Sequence, residues 1–205
     1  MQDVRVPFLQ IYRINALRVL GAAAFGLLAV TSPPVMPLFI RTILEAMGTL
    51  AIFVAIVGRC WSLFYIGGRK NSELVDFGPY SICRNPLYFF SLIGIAGIGA
   101  QTGSLVCMAV FVVATYLAFD TAMRGEEAYL GSRYGEAFDD YKRSVPRLLP
   151  DPSLWRECED IPLRSVRAVG SLRDGIVFLG AWLAIEVVRL AQASGLLPVF
   201  WTLPL

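Results

Sequence analysis

The chain has 205 residues, of which 56% are hydrophobic and only 17% are charged, and its mean hydropathy is +0.60. This composition excludes an ordinary soluble domain and predicts a single all-α integral membrane domain over residues 1–205. The formal net charge of +2 does not indicate a nucleic-acid partner, and the sequence contains no histidine, the commonest metal ligand and general base.

Two apolar runs open the chain. The first predicted membrane helix extends from about Asn15 to Thr31 and follows basic residues without a signal-peptide cleavage pattern, so we interpret it as uncleaved. The second apolar run, Thr42 to Tyr65, has enough residues to exceed the ~20 that a helix needs to cross a bilayer. Within it, Arg59 is either a snorkelling anchor or a cation that lines a pocket.

The third apolar run, Leu87 to Phe119, is interrupted only by polar and small residues at 101–104. A single helix of that length would be about 50 Å long and would overshoot a hydrocarbon core of ~30 Å, so a tight helical hairpin is predicted. Its glycines, among them Gly97 and Gly99, favour close helix packing over a nucleotide-binding loop. The hairpin and a last helix from Gly175 to about Leu190 bring the total to about five transmembrane helices, followed by an irregular interfacial tail.

Charge asymmetry predicts the orientation of these helices. Lysine and arginine residues concentrate on the side of residues 69–84 and 124–173, whereas the loops of the other side contain only Arg41. By the positive-inside rule the basic side is cytoplasmic. The four cysteines (Cys60, Cys83, Cys107 and Cys158) have no paired spacing, so neither a disulfide framework nor a metal site is predicted.

A polar, aromatic-rich segment precedes the hairpin and reads Leu74-Val75-Asp76-Phe77-Gly78-Pro79-Tyr80-Ser81-Ile82-Cys83-Arg84-Asn85-Pro86-Leu87-Tyr88. Glycine and proline at 78–79 are typical of a turn, and Asn85-Pro86 offers a capping residue with proline at the first helical position. On its own this segment reads as a capped turn, with Arg84 as an interfacial anchor and Tyr80 and Tyr88 as aromatic-belt residues.

A second polar segment follows the hairpin. It begins at Glu126-Glu127, and apolar residues then recur every three or four positions, at Leu130, Tyr134, Phe138, Tyr141 and Val145. This spacing predicts an amphipathic helix that lies against the cytoplasmic membrane face. Closing the hairpin brings the two polar segments to one bilayer surface.

Together these segments resemble the isoprenylcysteine carboxyl methyltransferases and the related phospholipid methyltransferases. The shared pattern is a Gly-x-Tyr turn with Arg-(His/Asn)-Pro-x-Tyr, a membrane hairpin, a Glu-Glu pair and a terminal Val-Pro-Arg. It covers about Leu74 to Pro150, so we divide the domain into a methyltransferase-like core at 72–150 and an extension at 151–205 with an additional membrane helix.

The resemblance implies an S-adenosylmethionine-dependent methyltransferase that acts on a lipophilic or membrane-associated acceptor at the cytoplasmic face. It implies cofactor contacts at Ser72, Glu73, Leu74, Val75, Tyr80, Asn85, Pro86, Leu87, Tyr88 and Glu126. The catalytic residue is not identified; the candidates are Arg124, Glu127, Tyr141 and Arg147, and Asp120 is a further proton acceptor. No metal is implied, and the sequence does not indicate the oligomeric state.

Two positions depart from the isoprenylcysteine enzymes. Their motif histidine is Asn85 here, and their substrate-binding arginine falls on Ala122, which argues against a prenylcysteine carboxylate as the acceptor. The absence of histidine is compatible with methyl transfer, because in-line displacement needs alignment and desolvation more than proton transfer.

Two other functions remain open from the sequence. Sterol reductases share the turn motif but use NADPH, whose phosphates would need cations such as Arg69, Lys70 and Arg84. The acidic pair at 126–127 would repel those phosphates, so this alternative ranks second. The third is a non-enzymatic membrane scaffold that retains the fold.

Overall fold

The computed structural model describes residues 21–66, 73–157 and 165–205, with side chains described from residue 176 onward in the last of these ranges. The described chain is mostly helical. Its helices are α1 Gly21–Val30, α2 Leu38–Ile66, α3 Pro79–Ile82, α4 Pro86–Gln101, α5 Leu105–Tyr134, α6 Glu136–Ser144 and α7 Ser165–Ala193. Two short strands, β1 Thr31–Ser32 and β2 Trp201–Thr202, pair in parallel, and a 3₁₀ turn covers Pro152–Leu154.

Three helices of the described chain are long and apolar enough to cross a membrane. They are α2, α5 and the Ile176–Ala193 part of α7, and α1 and α4 are shorter apolar helices. The prediction of an α-helical integral membrane protein is therefore confirmed at this level. The first twenty residues, which include the start of the predicted first helix, lie outside the described residues.

The hairpin forms as α4 and α5, but its second arm is longer than predicted. The turn lies at 102–104, where Gly103 has a positive φ of 74° and the Ser104 hydroxyl accepts a hydrogen bond from the Cys107 N–H at 3.1 Å. Instead of ending near Phe119, α5 continues to Tyr134. The charged residues after Phe119 keep their helical propensity, so the loss of hydrophobicity does not end the helix.

Small residues let α2 and α4 pack backbone against backbone. A Cβ added to Gly97 would lie 2.6 Å from the carbonyl oxygen of Gly48, and one added to Gly94 would lie 2.4 Å from the Phe178 ring of α7. The hairpin glycines thus serve helix packing, as expected from their membrane setting.

A network of charged and polar side chains joins α7 to α2 and to the end of α4. The Arg189 guanidinium pairs with Glu45 at 2.9 Å and with Glu186 at 3.0 Å, and it also donates to the Gln101 carbonyl. The Gln101 side chain in turn donates to the Glu45 carbonyl at 2.8 Å. Because charges inside a bilayer are costly unless they are paired, this network locks the three helices together.

The tail beyond α7 is largely irregular, as expected, apart from β2, and it is anchored to the rest of the protein. The Gln192 side chain donates to the carbonyls of Leu28, Ala29 and Thr31 at the end of α1. The Ser104 hydroxyl donates to the Pro204 carbonyl at 2.5 Å, and Leu203 is buried. Backbone polar groups at a helix end need partners, and here the tail and α7 supply them.

We predict that Gly97→Ala destabilises the protein by about 1–3 kcal/mol, because the new methyl group would collide with backbone that cannot move independently. Gly180→Ala is the matched control in α7, since a Cβ there meets nothing within 4 Å. It should be neutral or gain up to about 1 kcal/mol of helix propensity. Thermal unfolding in detergent measures both, and equal midpoints would contradict the packing assignment.

We also predict that Arg189→Met destabilises the protein by about 3 kcal/mol, because it leaves the Glu45 carboxylate without its α7 partner. Combining it with Glu45→Leu should recover part of this loss. The exposed Lys142→Gln variant should change the free energy of unfolding by less than about 0.5 kcal/mol. Reversible unfolding in mixed micelles tests the cycle, and strict additivity of the two changes would refute a direct pair.

Candidate active site

The two polar motif segments pair along their backbones. The Arg84 N–H donates to the Pro146 carbonyl at 2.9 Å, the Asp151 N–H to Ile82 at 2.9 Å, and the Gly78 N–H to Arg156 at 2.8 Å. As residue numbers rise along the first segment, the numbers of their hydrogen-bond partners fall along the second, so the two segments run antiparallel. The sequence before the hairpin and the sequence after α6 therefore form one structural unit.

The turn before α3 requires glycine. Gly78 has a positive φ of 57°, and a Cβ there would lie 2.2 Å from the Tyr65 ring at the end of α2. Pro79 then begins α3, and the Ser81 hydroxyl accepts a hydrogen bond from the Arg156 N–H at 2.9 Å. These contacts fix the position of Tyr80.

The predicted amphipathic helix is broken, but its apolar face is intact. Gly135, with a φ of 54°, separates α5 from α6. Across this break the five apolar residues share one cluster, to which Leu74 adds. The Tyr141 hydroxyl leaves that cluster to donate to the Tyr80 carbonyl at 2.7 Å, so α6 supports the turn directly.

Tyr80 carries a buried hydroxyl without a partner. The residue is only 5% exposed, and among the described residues no group accepts or donates a hydrogen bond at its oxygen. Burial raises the pKa of this phenol well above its usual value, and Tyr141 and the nearby Glu126 carboxylate raise it further. The turn and the acidic start of the second segment are thus close enough to interact electrostatically.

The neighbouring Glu127 belongs to an ion-pair network. Its carboxylate oxygen Oε1 lies 3.2 Å from Arg147 Nε and 3.6 Å from Arg84 Nη2. Arg147 also pairs with Asp120 at 2.7 Å, and the mostly exposed Arg124 pairs with the same aspartate at 2.6 Å. Adjacent residues of one helix point about 100° apart, which places the two glutamates in different surroundings.

The structure places two arginines at the start of the hairpin. Arg84 is not an interfacial anchor, because its side chain is only 9% exposed. Arg59 donates to the Leu87 carbonyl at 3.2 Å and to the Ser91 hydroxyl, so it links α2 to the first turns of α4. Arg59 therefore has partners within the protein, and whether it also lines a pocket stays a prediction.

Asn85 does not cap α4 with its side chain, although Pro86 occupies the first helical turn as predicted. Its amide instead donates to the Arg147 carbonyl at 3.1 Å, because the partner segment lies alongside. The Cys83 thiol likewise donates to the Leu148 carbonyl at 3.1 Å, and burial raises its pKa to about 11. Cys83 is therefore protonated near neutral pH and is not a nucleophile.

The other predicted cofactor contacts are distributed around this unit. Val75 is buried, Glu73 is exposed, and Ser72 lies outside the described residues. Tyr88 is buried with its ring centroid 4.8 Å from that of Phe119, in a cluster that also contains Ala122 and Met123.

The extension contributes contacts that the sequence analysis missed. Trp155 stacks on Trp61 of α2 with ring centroids 5.8 Å apart, and Arg156 pairs with Asp76 at 2.9 Å. Tryptophan within an otherwise polar run was the available signal. Beside Arg156 is an open cleft of about 380 Å³ lined by Leu74, Asp76, Ala137, Asp140, Tyr141, Ser144 and Arg156.

This arrangement limits the chemistry of the four catalytic candidates. Arg124, Glu127 and Arg147 are held in ion pairs, and the Tyr141 hydroxyl is committed to the Tyr80 carbonyl. Groups held in this way are suited to positioning their neighbours. The site therefore combines a buried phenol and a nearby carboxylate with a rigid polar frame.

Two known proteins are similar to most of this chain. The chain is 38% identical over 166 residues to the nickel-cobalt-cadmium resistance protein NccN of Alcaligenes xylosoxydans xylosoxydans, covering 81% of this chain and 78% of that protein. It is 37% identical over 165 residues to the cobalt-zinc-cadmium resistance protein CzcN of Cupriavidus metallidurans, covering 80% and 76%. No solved structure matches.

Two further matches concern methyltransferases. Over 87 residues the chain is 29% identical to the protein-S-isoprenylcysteine O-methyltransferase of Schizosaccharomyces pombe, covering 42% of this chain and 37% of that enzyme. Residues 35–137 match the family model described as phospholipid methyltransferase, a region that contains the turn, the hairpin and the acidic pair. The chain therefore belongs to the phospholipid methyltransferase family.

Proposed function

We propose that this protein is a membrane-embedded methyltransferase that uses S-adenosylmethionine and acts on a lipophilic or membrane-associated acceptor. The observation that carries the proposal is the buried Tyr80 hydroxyl, which has no hydrogen-bond partner among the described residues and lies within electrostatic range of the Glu126 carboxylate. Buried polar groups normally have hydrogen-bond partners, and a missing partner marks a place where a ligand fits.

The chemistry of these groups suits the cofactor. A phenol donates or accepts a hydrogen bond, and a carboxylate accepts from ribose hydroxyls or from an ammonium group. The residues that would hold the cofactor are those of the turn and of the acidic pair, namely Glu73 to Val75, Tyr80, Asn85 to Tyr88 and Glu126. When bound, the cofactor supplies a methyl group on a positively charged sulfur.

The protein's own residues then act by positioning and by excluding water. The phenols of Tyr80 and Tyr141 have pKa values raised by burial, and they remain neutral donors at physiological pH. With Glu127 in ion pairs, the described candidates offer a frame rather than a base. We infer that the acceptor brings its own lone pair and that alignment in a desolvated site provides most of the rate enhancement.

The same proposal includes topology. We assign the motif face to the cytoplasm from the distribution of basic residues and count α1 and α4 as membrane-spanning, which gives five spans. The core at 72–150 and the extension at 151–205 then form one membrane domain. An acceptor dissolved in the bilayer reaches the site laterally between helices.

Two relatives carry names that associate them with metal resistance. In the part of the chain that the structure describes, no group of three or more cysteine, aspartate or glutamate side chains is arranged to hold a metal ion. We propose that the methyltransferase activity links this chain to metal resistance through a methylated product. A reductase or a scaffold remains as an alternative outcome of the experiments below.

We predict that the detergent-purified protein binds radiolabelled S-adenosylmethionine and that Glu126→Gln weakens this binding roughly 10- to 100-fold, because a charge-assisted hydrogen bond is lost. Glu136→Gln, an equivalent change at an exposed carboxylate of α6, is the matched control and should bind like the unmodified protein. Equilibrium dialysis measures the three affinities.

Folded protein that fails to bind S-adenosylmethionine would exclude the proposed function. Thermal stabilisation by NADPH in its place would establish the reductase alternative. Normal binding by the Glu126→Gln variant would remove Glu126 from the site without excluding the activity.

We also predict a loss of stability at alkaline pH. The folded-state pKa values of Tyr80 and Tyr141 exceed the unfolded value of about 10, so their contribution is complete below pH 10 and decreases as the pH rises above it. Each phenol contributes up to about 1.4 kcal/mol per pH unit there. Tyr141→Phe should reduce this slope, Ser144→Ala should not, and unfolding measured between pH 8 and 11 distinguishes them.

A further inference from the structure

Arg84 is buried without the hydrogen bonds that its charge requires. Its side chain is 91% buried, and within the described chain its Nε and Nη1 atoms have no hydrogen-bond partner. The remaining nitrogen, Nη2, lies 3.6 Å from Glu127, which is an electrostatic contact longer than a hydrogen bond. A guanidinium group with five N–H donors is thus held in the protein by one weak ion pair.

The carboxylates around Arg84 are shared with other arginines. Glu127 faces both Arg84 and Arg147, and Asp120 pairs with Arg147 and with the mostly exposed Arg124. Arg147 adds another buried nitrogen, Nη2, that has no partner among the described residues. Unsatisfied charged donors oppose burial, and one bound anion would satisfy them.

We propose that Arg84 is an oxyanion-binding residue whose ligand carries a carboxylate or phosphate group, with Arg147 as its neighbour in the site. A guanidinium group binds such groups through two parallel N–H donors, and Nε with an Nη nitrogen forms that fork. Glu127 does not fill this role, because its oxygen Oε1 is shared with Arg147 and contacts only Nη2 of Arg84.

The neighbouring side chains indicate what the oxyanion is attached to. Tyr88, in the first turn of α4 and four residues after Arg84, packs with Phe119, Ala122 and Met123, and Leu148 packs against the same cluster directly after Arg147. An apolar cluster formed by sequence neighbours of both arginines fits an amphiphile with an anionic head. The Tyr80 turn, four residues before Arg84, fits a cofactor that carries a carboxylate, so one chemistry has two candidate sources.

If the oxyanion belongs to the cofactor, the inference rests on the proposed function. If it belongs to an amphiphile, the inference is independent of that function. The experiment therefore uses the full-length protein in detergent with four probes. S-adenosylmethionine is compared with its decarboxylated analogue, and octanoate is compared with octyltrimethylammonium, which reverses the head-group charge. Dialysis gives affinities for the first pair, and thermal unfolding gives stabilisation by the second pair.

Variants at Arg84 assign any binding to this residue. Arg84→Gln removes the charge and should weaken binding of the anionic probe roughly 10- to 100-fold. Arg84→Lys keeps the charge but loses the fork, so its affinity should lie between those of Arg84→Gln and the unmodified protein. Arg143→Gln is the control, since Arg143 is exposed on α6 and pairs with the exposed Asp140. Each variant is first checked for a cooperative unfolding transition.

If Arg84→Gln binds S-adenosylmethionine more weakly than the unmodified protein does, but binds the decarboxylated analogue equally well, the inference is supported. The oxyanion is then the carboxylate of the cofactor. Loss of octanoate stabilisation alone would support the inference and identify the acceptor side, even if the protein bound no S-adenosylmethionine. Unchanged responses of folded Arg84→Gln to every probe would overturn it. If that variant does not fold, the unmodified protein decides: equal affinity for both cofactor forms and no octanoate effect would also overturn it.

Discussion

The antiparallel pairing between the turn before α4 and the segment after α6 is the constraint on which the rest of the site depends. Three backbone hydrogen bonds, from Gly78, Arg84 and Asp151, place side chains separated by about 60 to 80 residues beside one another. Backbone groups removed from water need partners, and here each segment supplies those of the other. Without this pairing, neither the contact of Tyr141 with the turn nor the ion pairs of Glu127 would form.

This pairing also gives two adjacent carboxylates different surroundings. Glu127 is used to join α5 to Arg84 and Arg147, whereas Glu126 lies near the buried phenol of Tyr80. A rigid frame of ion pairs keeps the neighbouring carboxylate in place. The proposed function would therefore use preorganised charges rather than an imidazole, which the sequence lacks.

Hydropathy and motif spacing predicted the three long membrane helices of the described chain, the hairpin and the proximity of its two flanking segments, because these depend on patterns that are local in sequence. The end of α5, the break at Gly135 and the role of Asn85 were predicted incorrectly. A polar helix continues as readily as an apolar one, and a capping side chain takes whichever acceptor the fold places nearby. The burial of Arg84 and the stacking of Trp155 depend on long-range packing, which no local pattern encodes.

The contacts that join α7, its tail and the hairpin turn affect where a molecule could enter between the helices. Arg189, Gln192 and the β1–β2 pair fasten the helices at the end farthest from the motif segments. That end resists separation, because opening it would expose paired charges and backbone groups to hydrocarbon. For the lipophilic acceptor proposed above, entry is left to the gaps between helices in the leaflet nearest to the motif face, so the lipid composition of that leaflet would govern its supply.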